Sequence, residues 1–325
     1  MNVLLTGASG FVGGHVARAL ADQGAKLRLL ARKTSNLETL RDLNADIYVG
    51  DLAEPESLRA GLMGCEALVH VAADYRLWIP HPASMYRVNV DGTRALLKLA
   101  REAGVRRAVY TSSVATLHFF KDGSLSNEDT PTSEADMLGH YKRSKFLAEQ
   151  EALAAAHEGL DLVVLNPSAP VGAGDVKPTP TGRILVDFLK GRFPAYMDTG
   201  LNLVDVREVA RIHASALTQG QAGQRYILGG ENLTLKQIFD KLAALSGRSA
   251  PKLRIPYALA LAYAGFEENL SGRLLKREPR ATLEQVRMGR KKMYVSSERA
   301  QRELGFRILP IEPALAAAVT WFRER

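Results

Sequence analysis

The sequence predicts an α/β protein, a doubly wound parallel sheet followed by a smaller, mostly helical lobe. Three observations carry this. Short runs that are apolar throughout alternate with amphipathic stretches in the first half. A glycine-spaced turn joins the first such run to the first helical pattern. The second half drops the alternation, turns helical and is punctuated by Pro251, Pro256, Pro279 and Pro310. Strands apolar on both faces need cover on both faces, which parallel strands with flanking helices provide. Right-handed crossovers then leave the ligand crevice outside the carboxyl ends of the strands.

In chain order, strand-type runs fall at 3–6, 26–31, 46–49, 67–71, 108–111 and 162–165. Helical patterns run from the first turn to about residue 21, over 82–103 and over 139–156. The stretch 171–181, rich in Gly, Pro and Thr, reads as a loop and a domain junction. Beyond it the pattern gives a helix at 182–190, a strand at 201–205, a helix at 208–217 and a strand at 225–229. The expected division is a sheet domain over 1–170, with 200–229 returning to it, and a substrate lobe formed by 171–199 and 230–325.

Composition narrows the class. Hydrophobic residues make up 46% and charged residues 24% of the 325, as in a folded enzyme and unlike a disordered chain. Cys65 is the single cysteine, so no internal disulfide can form and a reducing compartment fits. No apolar run reaches the roughly 18–20 residues of a membrane span. The N-terminal apolar stretch is a strand entering a glycine turn, not a signal sequence, so a cytoplasmic location is expected. The seven histidines show no metal-ligand spacing, and no metal is expected.

The net charge is +8, and much of it is local. Arg273, Lys276, Arg277, Arg280, Arg287, Arg290, Lys291 and Lys292 stand against Glu278 and Glu284 alone. Such a run reads as a solvated basic face, a contact for a phosphate-bearing substrate, or a peripheral contact with an anionic membrane. Aromatic residues are not interleaved as base stacking requires, so no nucleic-acid partner is expected.

The turn GASGFVG places Gly7, Gly10 and Gly13 between strand and helix. Gly7 allows the tight turn, Gly10 lets the backbone approach a pyrophosphate, and Gly13 lets the helix pack on the strand. The free N–H groups at the helix start then hold the anion. Gly7, Ser9, Gly10, Phe11, Val12 and Gly13 are therefore the expected phosphate cradle of a dinucleotide. An acid at the end of the second strand would read the ribose hydroxyl of NAD, and an Arg the 2′-phosphate of NADP. This chain has Arg32 and Lys33 there and no acid, which points to NADP, with NAD the alternative.

Tyr141 and Lys145 lie four residues apart in a stretch of strong helix formers, hence on one helix face. A free phenol has a pKa near 10, and a nearby ammonium would favour its phenolate. Hydride transfer at carbon needs a proton transfer at the attached oxygen, which Tyr141 can supply or remove. Ser113, at the end of the fifth strand, can hydrogen-bond that oxygen, with Ser112 the fallback one residue away.

Several segments resemble the extended short-chain dehydrogenase/reductase family. They are TGASGFVG (6–13), GDL (50–52), HVAA (70–73), VNVDGT (88–93), TSS (111–113), YKRSK (141–145), NPSAPVG (166–172) and ELGF…W (303–321). The resemblance covers essentially the whole chain and implies a Rossmann-like sheet with a C-terminal substrate lobe. It implies that Asp51 and Leu52 touch the adenine, that Val71, Ala72 and Ala73 line the cofactor, and that Asn89 supports its helix. It places Pro167 and Ser168 near the nicotinamide, beside Tyr141 and Lys145, and makes Tyr75, Ser113 and Arg183 candidate substrate contacts.

The segments VAADYRLW (71–78), GHYKRSKFLAEQ (139–150), NPSAPVG (166–172), KPTPTGRI (177–184) and YILGGENLTL (226–235) are similar to the hopanoid-associated sugar epimerase group, which in turn resembles dihydroflavonol 4-reductases. That resemblance implies a small-molecule substrate, a link to hopanoid lipids and a homodimer. Three functions compete. A net reductase or dehydrogenase releases its cofactor each turnover, and Arg32 favours it. An epimerase retains NAD and returns the hydride to the other face. A non-catalytic nucleotide-binding protein would have no need of Ser113, Tyr141 and Lys145 together.

Overall fold

The computed structural model describes residues 1–274, 277, 279 and 281–325. Lys276, Glu278 and Arg280 of the basic run lie outside the described residues, and the Arg273 side chain is not described either. Six strands and five helices form the first part. They are β1 (Asn2–Thr6), α1 (Phe11–Asp22), β2 (Lys26–Ala31), β3 (Ala45–Val49), α2 (Glu56–Leu62), β4 (Ala67–His70), α3 (Ala83–Tyr86), α4 (Gly92–Glu102), β5 (Arg107–Thr111), α5 (Gly139–His157) and β6 (Leu162–Pro167). There follow β7 (Ala169–Val171), α6 (Pro180–Leu189), β8 (Ala195–Tyr196), β9 (Gly200–Asp205), α7 (Val206–Ser215), β10 (Arg225–Leu228), β11 (Glu231–Thr234), α8 (Leu235–Ser246) and β12 (Leu253–Arg254). The chain ends in α9 (Tyr257–Glu267), α10 (Leu283–Met288), α11 (Glu298–Leu304) and α12 (Glu312–Arg323).

The main sheet has seven parallel strands in the order β10-β6-β5-β4-β1-β2-β3. The order reverses between β1 and β4, which is the switch point where such sheets open a crevice. One face is covered by α1, α7 and α11 through Val16, Leu20, Val209, Ile212 and Leu304. The other is covered by α2, α4 and α5 through Leu58, Leu96, Ala148 and Ala152. The alternation read from the sequence is thus a parallel sheet buried on both sides.

The second half differs in detail from its sequence reading. Of the segment 200–229, α7 and β10 return to the main sheet, but β9 does not. It pairs with β7 and β11 in a separate three-stranded sheet packed on α6, α8 and α12. The helix at 82–103 is also interrupted. A π-helical turn, Arg87–Asp91, separates α3 from α4 and turns Asn89 inward. There the Asn89 side chain accepts from Asp74 N at 2.7 Å and donates to Asp74 O at 2.8 Å. Such tertiary bonds, absent from any helical periodicity, are what a π-turn serves.

Candidate active site

The glycine turn closes against the neighbouring strand exit. Gly7 adopts φ +81°, and a Cβ on it would sit 2.6 Å from Ala72 N. A Cβ on Gly13 would lie 2.0 Å from Gly7 O, so only glycine lets α1 pack this closely. Thr6 ties the same exits together, since its hydroxyl accepts from Ala72 N at 3.2 Å and pairs with His70 Nδ1 at 2.7 Å. At Gly10 the helix α1 begins with no side-chain cap and no acid in its first turn. The N–H groups of Phe11, Val12 and Gly13 therefore face outward without intrahelical partners, beside exposed Ser9. That arrangement fits a pyrophosphate.

The rest of the cradle lies along the same sheet edge. Arg32 follows β2 and is exposed, and its guanidinium makes no hydrogen bond or ion pair with a described residue. Gly50 N bonds Ala31 O at 3.1 Å, which sets Asp51 beside the end of β2. The Asp51 carboxylate accepts from Ala53 N at 2.9 Å, and Leu52 is buried beneath Gly92. Val71, Ala72 and Ala73 are half-buried where β4 ends. Pro167 and Ser168 leave β6, and the Ser168 hydroxyl is buried without a hydrogen-bond partner among the described residues. Ser112 Oγ and Asn166 Oδ1, at the ends of β5 and β6, are orphaned in the same way. Orphaned polar atoms of this kind call for a ligand or water, and a nicotinamide dinucleotide lying across this edge fits them.

The chemistry-bearing groups converge beside that edge. Tyr141 lies in the first turn of α5, with the Ser113 side chain near enough to its phenol to act on its titration. Burial raises the phenol's pKa, and Ser113 offsets part of the rise. Lys145, one turn along, is buried and donates to Tyr110 OH at 3.0 Å and Thr111 O at 2.9 Å. The ammonium is thus hydrogen-bonded to β5, through one hydroxyl and one carbonyl. Burial draws the Lys145 pKa down to about 8, against the opposing pull of Glu149.

Glu149 was not singled out in the sequence, although it continues the Tyr141–Lys145 face by one more turn. Fully buried, it accepts from Asn166 Nδ2 at 2.6 Å, Thr116 Oγ1 at 3.1 Å and Arg225 Nη1 at 3.0 Å. Asn166 in turn donates to Ser113 O at 3.1 Å, so this network positions the serine. Ser144 accepts from Asn89 Nδ2 at 3.0 Å and fixes α5 to the π-turn. Tyr75 lies farther out, its hydroxyl 3.3 Å from Lys177 O, with Asp175 and Arg183 near enough to influence its titration. The three bring the loop after β4 up to the start of α6. Among the described residues no group of His, Cys, Asp and Glu converges as a metal site.

Comparison with known proteins agrees with this geometry. Residues 3–229 match the NAD-dependent epimerase/dehydratase family. The chain is 44% identical to a protein of Synechocystis named for dihydroflavonol 4-reductase, over 98% of this chain and 94% of that one. It is 36% identical to sterol demethylase protein B of Methylococcus capsulatus, over 100% and 99%. A solved nucleoside-diphosphate-sugar epimerase from Pseudomonas aeruginosa superposes with a TM-score of 0.82 at 26% identity, covering 100% and 98%. The chain belongs to the NAD-dependent epimerase/dehydratase family of extended short-chain dehydrogenases/reductases, and it is an enzyme of the NAD(P)-dependent oxidoreductase/epimerase class.

Proposed function

We propose that this enzyme reduces a carbonyl on a largely apolar substrate with NADPH, Tyr141 being the proton donor. The observation that carries the reading is the Tyr141–Ser113 pair at the crevice, with burial holding the phenol protonated. A phenol that stays protonated at neutral pH suits proton delivery to a nascent alkoxide, which is the reductive direction. Bound nicotinamide would supply the hydride. Ser113 then hydrogen-bonds the substrate oxygen, Tyr141 passes its proton to that oxygen, and Lys145 steadies the phenolate left behind. The Glu149–Asn166 network keeps Ser113 in register.

Arg32 supports NADPH, because its exposed guanidinium has no partner among the described residues and the residues that follow β2, Arg32 and Lys33, are both basic. The names of two full-length relatives speak of a dihydroflavonol and a sterol, which supports an apolar substrate body. The test begins with chromatography of any nucleotide released on denaturing the purified protein, followed by titration with NADPH and NADH. Expected are little retained nucleotide, preference for NADPH, and a roughly tenfold or greater loss of NADPH affinity in Arg32→Ala with NADH unaffected. Near-stoichiometric retained NAD would instead support a second reading, an epimerase that keeps its cofactor. The likeness to the Pseudomonas sugar-nucleotide epimerase favours that reading.

A further inference from the structure

α9 and the π-helical continuation Glu268–Leu274 present two unlike faces. The inner one is settled by packing, with Ala260 and Ala264 buried against Val286, and Tyr257, Leu261 and Leu283 around them. Outside stand Leu259, Tyr263, Phe266, Leu270 and Leu274, exposed to 61%, 48%, 62%, 37% and 73%. They recur every three or four residues and so form one stripe. Other exposed apolar side chains are scattered over the described surface, as is normal, whereas a contiguous stripe marks an interaction surface.

The same segment of the lobe carries exposed cations: Lys252 precedes α9, Arg277 follows Leu274, and Arg287 and Arg290 sit on and after α10. The Arg290 guanidinium lies 5.4 Å from the ring centre of Tyr257 at the start of α9. The acids Glu267 and Glu268 lie in the same segment, Glu267 accepting from Ser271 Oγ at 3.0 Å and Glu268 from Leu283 N at 3.0 Å. The four exposed cations outnumber these two acids, so the segment complements an anionic phospholipid surface, whose acyl boundary takes the stripe and whose phosphates meet the cations. A second copy would set one cationic segment against another.

We propose that the α9 stripe docks on an anionic phospholipid bilayer. The same lobe segment edges the substrate crevice. Gly272 packs on Trp78 of the loop after β4, and Glu284 of α10 lies against Gly139, the first residue of the helix that carries Tyr141. Docking therefore brings the lobe that edges the crevice to the bilayer, where an apolar substrate would reside. That last step rests on the proposed reduction, and the docking itself does not.

The test is co-sedimentation of the full chain with vesicles of phosphatidylcholine alone or mixed with phosphatidylglycerol, at low and high salt. Expected is partition onto the anionic vesicles, weakened by salt. The exposed triple substitution Leu259→Ser, Phe266→Ser, Leu274→Ser should bind at least about tenfold more weakly, with circular dichroism and NADPH titration unchanged. Arg277→Gln with Arg287→Gln should lower the salt dependence while leaving the stripe intact. Failure of the wild-type chain to sediment with anionic vesicles overturns the proposal, as does undiminished binding by the triple variant. A wild-type dimer that the triple variant converts to monomer overturns it too, by assigning the stripe to a second copy. None of these readouts needs turnover, so a failed reductase assay leaves them independent.

Discussion

Acid should weaken this fold through two histidines that it keeps neutral. His70 ends β4, fully buried, with Nδ1 paired to Thr6 Oγ1 at 2.7 Å and Nε2 to Thr93 Oγ1 at 2.9 Å. His213 lies in α7, also fully buried, with Nδ1 on Val209 O at 2.8 Å and Nε2 on Thr111 Oγ1 at 2.8 Å. Burial, with the Lys145 charge assisting, holds the His70 pKa to about 3, and burial holds that of His213 to about 4. Unfolded histidine titrates near 6.5, so between these values the unfolded chain binds more protons and stability falls as the pH falls. From pH 7.5 to pH 5 each ring costs about 2 kcal/mol, about 4 kcal/mol together, against a typical total of about 5–15 kcal/mol. Buried carboxyls with raised pKa, among them Glu128 and Asp175, act in the opposite sense, so the comparison must be between variants. Urea unfolding of wild type and His213→Gln at both pH values isolates the term. The variant should lose about 2 kcal/mol less over this interval, whatever its stability at pH 7.5. A loss equal to that of wild type would refute the assignment.

The site makes three further predictions. Tyr141→Phe should keep cofactor affinity while turnover falls about 10²–10⁴-fold; turnover near wild type would remove Tyr141 from the proton transfer. Lys145 should impose an alkaline limb on activity at a pH of about 8, where its ammonium discharges. Its stability term has the reverse sign, since a cation with lowered folded pKa is penalised below that value and relieved above it, by about 3 kcal/mol between pH 8 and 10.5. Parallel rate and unfolding profiles should therefore diverge, and profiles falling together would contradict the buried ammonium. Glu149→Ala strands Arg225 and Asn166, which should cost about 3–5 kcal/mol in urea unfolding. It should also shift the alkaline limb to lower pH, because Glu149 supports the charge on Lys145; an unmoved limb would break that coupling.

The sheet was legible because its signals are local. All-apolar runs and a glycine turn place β1, β2 and β5 to within a residue or so of the structure, and each needs only its own sequence to be recognised. The three-stranded sheet was less so. β9 was visible as a strand, but β7 is three residues long with a central proline and β11 is short and partly polar, and they exist as strands only because they flank it. The π-turn at Asn89 is equally invisible to periodicity, since backbone groups of Asp74 hold it in place.

The site divides along the same line. Residue types and spacing place Tyr141 and Lys145 on one face and bring Ser113 to the neighbouring strand end, but they cannot say which acceptor the ammonium takes. That is decided by Tyr110 and Thr111 on β5, which offer a hydroxyl and a carbonyl where the sheet meets the helix. Sequence spacing thus names the candidate groups, while burial in the folded chain, with Ser113 acting on Tyr141 and Glu149 on Lys145, sets their titration. Glu149 shows this most directly. It carries no motif of its own, yet it raises the Lys145 pKa against burial and, through Asn166, holds the backbone of Ser113. An enzyme that kept Ser113, Tyr141 and Lys145 but lost Glu149 would retain the signature read from sequence while titrating differently.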